Sequence, residues 1–210
     1  CTSDLNAWVN LFKEFADTFG MSVDMNDLYG TLYRKALEGD ADCGGLVSFN
    51  YFSGEPVTGF AEGRPMFVRK PDAKFSLANF MRTHILSSLA TIKIGNDILI
   101  KEEGVKVDCI MGHGGLFKTE EVGQRFMAAA MGAPVTVMQN AGEGGAWGIA
   151  LLALFAHGGD KDLEAFLDGI FLNAQKTTVS ASENEVKAFK LFMEKYKNGL
   201  AVENLAAEVL

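Results

Sequence analysis

Two short segments of this 210-residue chain concentrate the residues that could hold a ligand. Gly112-His113-Gly114-Gly115 runs into Lys118-Thr119, and Gly142-Glu143-Gly144-Gly145 runs into Trp147-Gly148. Glycine lets backbone approach a ligand closely, and a helix starting behind such a turn aims its free N–H groups at it. One such turn also reads as a tight turn with a helix cap; two in tandem favour a ligand. The first is superficially like a phosphate-cradling loop, but Phe117 stands where the glycine before Lys-Thr is required. The second fails the dinucleotide fingerprint, whose glycines fall at relative positions one, three and six; the sixth here is Trp147. A nicotinamide cofactor is therefore disfavoured.

Other chemistry-bearing residues are sparser. His113 sits in a glycine loop with no nucleophile or carboxylate that would make it a proton carrier, and reads as a loop residue. His84 and His157 read as packing or surface residues. Asp40-Ala41-Asp42 reads as a solvated turn rather than a metal site. Glu55 either functions through its loop position or pairs with Arg64 or Arg69. Cys1, Cys43 and Cys109 are far apart with no CxxC, which argues against structural zinc and for reduced thiols in the cytoplasm.

The elements that must position these turns follow from periodicity. Thr2 or Ser3 caps a helix with Leu5, Trp8, Leu11, Phe12, Phe15, Ala16 and Phe19 on one face, stopped at Gly20. A second helix is predicted from about Asn26 to Glu38, and a strand over Leu46 to Phe52. Glycine and proline break any period from Ser53 to Ala73, predicting an extended loop or hairpin. Ser76 starts a long helix to about Glu103, with a break or a close contact expected at Gly95. Then come a strand (Val107 to Met111), a helix from Thr119 as cap through Met131, a strand (Pro134 to Met138) and a helix through Phe155. This alternation predicts parallel strands with right-handed crossovers, both glycine turns lying at strand carboxyl ends, where open α/β sheets bind ligands. The tail is predicted helical, with Gln175 to Ser182 as a polar break.

Composition sets the outer limits. Hydrophobic residues make up 48% and charged residues 22%, and the net charge is −8. That excludes disorder for the bulk of the chain and disfavours a nucleic-acid or anionic-membrane surface. No apolar run reaches the ~20 residues of a membrane span. The chain begins without Met and runs straight into a helix, so it reads as a piece of something longer.

The segment MGHGGLFKTEEVGQRFMAAAMGAPVTVMQNAGEGGAWGIALLALF resembles the adenosine-binding half of the FGGY carbohydrate kinases, with Gly114, Gly115, Lys118, Gln124, Gly132, Pro134, Val135, Gly145 and Gly148 in register. Upstream, Ser53-Gly54-Glu55 resembles the family's Gly-Glu-Arg segment, and Arg82 resembles the arginine that opens its long helix. GGLVSFNYFSGEPVTGF and LANFMRTHIL look most like the xylulokinase branch. Pro56, Leu86 and Ser87 depart from the family pattern.

The resemblance implies an α/β, actin-like ATPase (ribonuclease H-like) C-terminal domain, with parallel strands and flanking helices, whose first strands lie upstream. It would be one domain over 1–210, with an adenosine-binding part at about 105–157 and a helical tail at about 160–210. It implies ATP and Mg²⁺, phosphoryl transfer to a ketose such as xylulose, and Gly114, Gly115, Lys118, Gly144 and Gly145 at the nucleotide. The general-base Asp and the Gly-Thr-Ser phosphate loop are expected upstream of Cys1, so the piece alone should not turn over sugar. The sugar would bind through an N-terminal domain, and a homodimer is open. The alternative is a non-catalytic ATP-binding or ATPase-like regulatory module of the same superfamily.

Overall fold

The computed structural model describes residues 2–139, 142, 144–159 and 162–210. Helices α1 (Thr2–Thr18) and α2 (Met25–Ala36) come first. Strands β1 (Leu46–Phe49) and β2 (Met66–Arg69) follow as an antiparallel hairpin, pairing Leu46 with Arg69 and Phe49 with Met66. Helix α3 (Leu77–Lys101) leads to β3 (Ile110–Gly112), α4 (Val122–Met131) and β4 (Val135–Met138). The chain closes with α5 (Gly144–Gly158), α6 (Leu163–Phe171), β5 (Lys176–Val179) and α7 (Glu183–Val209).

The first half of α3 is the centre of the fold. From Ala78 to Thr91 almost every residue is buried, including Met81, Ile85, Leu86 and Leu89. Helices α1, α2, α4 and α7 and strand β1 pack around it. A helix apolar on more than one side has to be enclosed in this way. Ser76 caps it by accepting from the Asn79 N–H at 3.2 Å. The helix runs unbroken through Gly95, where the nearest neighbour of an added Cβ would be Val57 at 4.0 Å. The expected break is absent, because 24 other helical residues carry the hydrogen-bond ladder past one glycine.

Helix α1 buries less than its periodicity predicts. Leu5, Val9 and Ala16 are inside with Trp8 and Phe12 packed against the core, whereas Leu11, Phe15 and Phe19 are more than half exposed. The apolar stripe is wider than the surface that α3 offers it.

The second sheet has the order β3-β4-β5. Strands β3 and β4 are parallel, Ile110 facing Val135, as the strand–helix–strand pattern requires. The all-parallel expectation fails at β5, which lies antiparallel to β4 where a polar break was expected. Thr177 and Thr178 have high strand propensity but no apolar alternation, so the segment carries no sequence signal. Gln124, buried on α4, supplies the lock: its Nε2 donates to the Val135 and Thr177 carbonyls, both at 3.0 Å.

Two buried polar junctions tie distant segments together. His84 Nδ1 lies 3.3 Å from Asp4 and 3.3 Å from Ser48 Oγ, under Trp8, Phe67 and Phe80. Both partners meet the same ring nitrogen and Nε2 has none, so this is not a nucleophile–base–orienter relay. Glu203 of α7 is fully buried and accepts the Arg64 backbone N–H at 2.7 Å, leaving Oε2 unpartnered.

Burial raises the Glu203 carboxyl above the usual glutamate range, opposed by the Arg64 N–H and charge. The native state therefore binds this proton more tightly than the unfolded chain, and stability falls as pH rises from the ordinary value through the raised one. Glu203→Gln should unfold at higher urea than the parent at pH 8, with the difference shrinking toward pH 4. Urea titrations at the two pH values check this; equal shifts at both would count against it.

No helix among the described residues is long and apolar enough to cross a membrane.

Candidate nucleotide site

Strand β3 ends at Gly112, and the chain turns through His113 and Gly114 into a single 3-10 turn, Gly115–Phe117. Gly114 has φ +102, a conformation closed to most side chains. The turn rests on the start of α4, where Gly123 touches the Leu116 carbonyl. Thr119 does not cap this helix as expected. It is buried, and the cap is Glu121, at φ 62 with no side-chain cap bond. The chain must reverse sharply to bring α4 under the turn, and the left-handed residue does it. Phe117 packs against the core.

The second glycine segment meets the first. A Cβ on Gly144 would lie 2.8 Å from Cγ of His113, and one on Gly142 3.0 Å from Cε of Lys118. Gly114, Gly115 and Gly145 have nothing within 4 Å of the corresponding position. The two turns are thus in contact, with open space in front of the first. Glu143 and Ala141 lie outside the described residues.

The space itself lies on the other flank of the first turn. A cavity of about 570 Å³ is bounded by Gly115, Lys118 and Glu120 on one side and by the start of α1 and one face of α2 on the other. This volume is in the range that holds a small-molecule ligand. Asn6, Tyr29, Tyr33 and Arg34 line it opposite the turn. The Tyr29 hydroxyl donates to Asn6 Oδ1 at 2.9 Å, and the two tyrosine rings stack edge-to-face at 5.9 Å. Burial, and secondarily Tyr29, push the Tyr33 phenol up to about 12, so it stays a neutral hydrogen-bond donor. The wall also carries Arg34 and Lys118 together with Asp27 and Glu120, two charges of each sign.

Of the residues singled out in the sequence, Gly115 and Lys118 line this cavity, whereas Gly114, Gly144 and Gly145 do not. Gly114 and Gly144 shape the turns behind it. The sequence singles out neither tyrosine, because Tyr29 and Tyr33 sit at i and i+4 on a helix about 80 residues upstream with no motif around them. Glu55 pairs with neither Arg64 nor Arg69. Its carboxylate accepts the Val57 N–H at 3.1 Å, while Arg64 bonds Glu62 and Arg69 lies over Phe75. Asp40 and Asp42 are held by Lys74 and Lys195 and brace the fold.

Residues 1–157 match the model of the FGGY family of carbohydrate kinases, C-terminal domain. The chain belongs to the FGGY carbohydrate kinase family. Its fold is the actin-like ATPase type, α/β with a mixed sheet and flanking helices. No curated protein matches the chain. Among solved structures, the ligand-bound xylulose kinase of Lactobacillus acidophilus is 22% identical, with a TM-score of 0.64 over 86% of this chain and 36% of that one. The gluconate kinase of the same organism is 22% identical, with a TM-score of 0.63 over 86% and 35%. A Plasmodium falciparum glycerol kinase solved with ADP is 13% identical, with a TM-score of 0.63 over 82% and 33%. At these identities the likeness is one of fold. The FGGY chain spans about a third of the length of these relatives.

The family implies ATP with Mg²⁺. The cavity has one wall carrying two tyrosines, one of them a neutral phenol, and an open glycine backbone across from it, a lining compatible with a nucleoside. Among the described residues no group of three or more His, Cys, Asp or Glu side chains is placed to hold the ion.

Proposed function

We propose that this chain supplies the nucleotide-binding floor of an ATP-dependent sugar kinase that phosphorylates a hydroxyl of a ketose such as xylulose. The observation that carries the reading is the 570 Å³ cavity pressed between the Gly115 turn and the tyrosine face of α2, in a chain of this family. A purine nucleoside would lie with one face on the open backbone at Gly115. Lys118 would reach its edge, and Asn6 and Tyr33 would present neutral polar groups to the ring or ribose. Gly114 and Gly144 would hold the turns in place. Phosphoryl transfer depends chiefly on positioning and charge neutralisation, so a rigid floor is a contribution in itself. The pentulose assignment rests on the resemblance of GGLVSFNYFSGEPVTGF and LANFMRTHIL to the xylulokinase branch. We read residues 1–210 as one unit acting with a separate sugar-binding domain, in the cytoplasm, where the free Cys43 and Cys109 thiols would persist.

Calorimetry with ATP and ADP tests the site. The parent should bind saturably. Lys118→Ala should weaken binding about tenfold, roughly 1.4 kcal/mol. Gly115→Val should weaken it at least as much while keeping the fold, since the new side chain enters the cavity and not the core. A parent that binds neither nucleotide, or variants that bind as the parent does, would overturn the assignment.

A further inference from the structure

A second and smaller cavity, about 150 Å³, opens where α2, α3, α4 and α7 meet. Its polar lining is Arg82, Arg125 and Glu185, and its apolar lining includes Leu86, Phe126 and Phe189. Arg125 bonds one Glu185 oxygen through Nε at 3.1 Å and Nη2 at 2.7 Å. The other Glu185 oxygen accepts the Ser182 N–H and hydroxyl at 2.8 and 2.7 Å. Glu185 is therefore fully committed and cannot serve Arg82.

Arg82 is the group left over. Its buried Nε has no hydrogen-bond partner, and among the described residues no carboxylate lies in ion-pair contact with it. Asp40 is near enough to sense its charge but is bonded to Lys74 and Asn79. The side chain is also held in place. A Cβ on Gly39 would lie 2.9 Å from its Cδ, and its guanidinium sits over the Phe126 ring at 5.2 Å. A guanidinium taken partly out of water without an acceptor is costly unless something fills the acceptor role.

We propose that this four-helix junction binds a compact oxyanion of phosphate size, held by Arg82 with Arg125 beside it. Two guanidiniums against one carboxylate leave one positive charge for the anion. A volume of 150 Å³ is about five waters at ~30 Å³ each, enough for an oxyanion and too small for a nucleotide. The planar fork of arginine is suited to such oxygens. The site is separate from the nucleotide cavity and shares no lining residue with it.

The test is titration of the 210-residue chain with inorganic phosphate at constant ionic strength, following arginine Nε–H resonances by NMR and heat by calorimetry. Saturable binding should move the Arg82 resonance. Arg82→Met should weaken binding at least tenfold, and Arg82→Lys by an intermediate factor. Glu185→Gln, which frees Arg125 of its counter-charge, should tighten it several-fold. If Arg82→Met fails to fold, the parent resonance and Glu185→Gln still decide. An unmoved Arg82 resonance, unchanged affinity in a folded Arg82→Met, or weaker binding by Glu185→Gln would each overturn the proposal.

Discussion

Gly123→Ala is expected to cost the fold about 2–4 kcal/mol and to weaken nucleotide binding at least tenfold. Gly123 is the second residue of α4 and carries the glycine turn on its back. An added methyl would lie 3.0 Å from the Leu116 carbonyl carbon, 3.1 Å from its Cγ and closer still to its oxygen. These are mostly backbone atoms, which cannot rotate aside as a side-chain tip would. Either α4 retreats from the sheet, straining the Gln124 bonds to β4 and β5, or the Gly115–Phe117 turn lifts. The second movement displaces Gly115 and Lys118 from the cavity wall. Gly115→Val is the contrast, since Gly115 has open space around it and should lose affinity with little loss of stability. Urea unfolding and ATP calorimetry on the two variants separate the effects. A Gly123→Ala protein within about 0.5 kcal/mol of the parent and with parental affinity would mean that the turn is not seated as described.

Gly63→Ala should lower the unfolding midpoint by roughly 6–12 °C, corresponding to about 3 kcal/mol in a chain of this length. The methyl would sit 2.6 Å from both the carbonyl carbon and Cβ of Tyr51. Tyr51 is not free to yield. Its hydroxyl accepts from Tyr196 at 2.8 Å and meets Thr91 at 3.0 Å, inside the core. Moving the backbone at 63 also pulls Arg64 N–H from Glu203, which would then keep neither carboxylate oxygen satisfied. The effect should be larger at pH 8 than at pH 5, because an ionised Glu203 loses the Arg64 N–H just where its charge is most costly. Calorimetric melting at both pH values checks it; a midpoint within about 2 °C of the parent would refute the contact.

Much of the architecture was legible along the chain because it is local. Apolar spacing placed α1, α2 and α3, and Ser76 and Gly132 marked a start and a stop that the structure keeps. The parallel β3–β4 pair followed from strand–helix–strand order. Where reading failed, the deciding partner was remote. Strand β5 depends on β4, some 40 residues earlier, and Thr-rich sequence does not announce such a partner. The exposed edge of α1 depends on how much surface α3 offers, which no periodicity contains.

The candidate site divides in the same way. Sequence alone determined that two glycine turns follow neighbouring parallel strands and resemble the nucleotide half of the FGGY kinases, because glycine spacing and helix starts are properties of short stretches. Only the tertiary structure decided which of these glycines lines the cavity. It brought Tyr29, Tyr33 and Asn6 across to Gly115 and Lys118, and set Gly144 behind the site against His113. The physical reason is that a cavity is what packing leaves unfilled between elements far apart in the chain, and its walls are fixed by how α2 and α4 stack on α3.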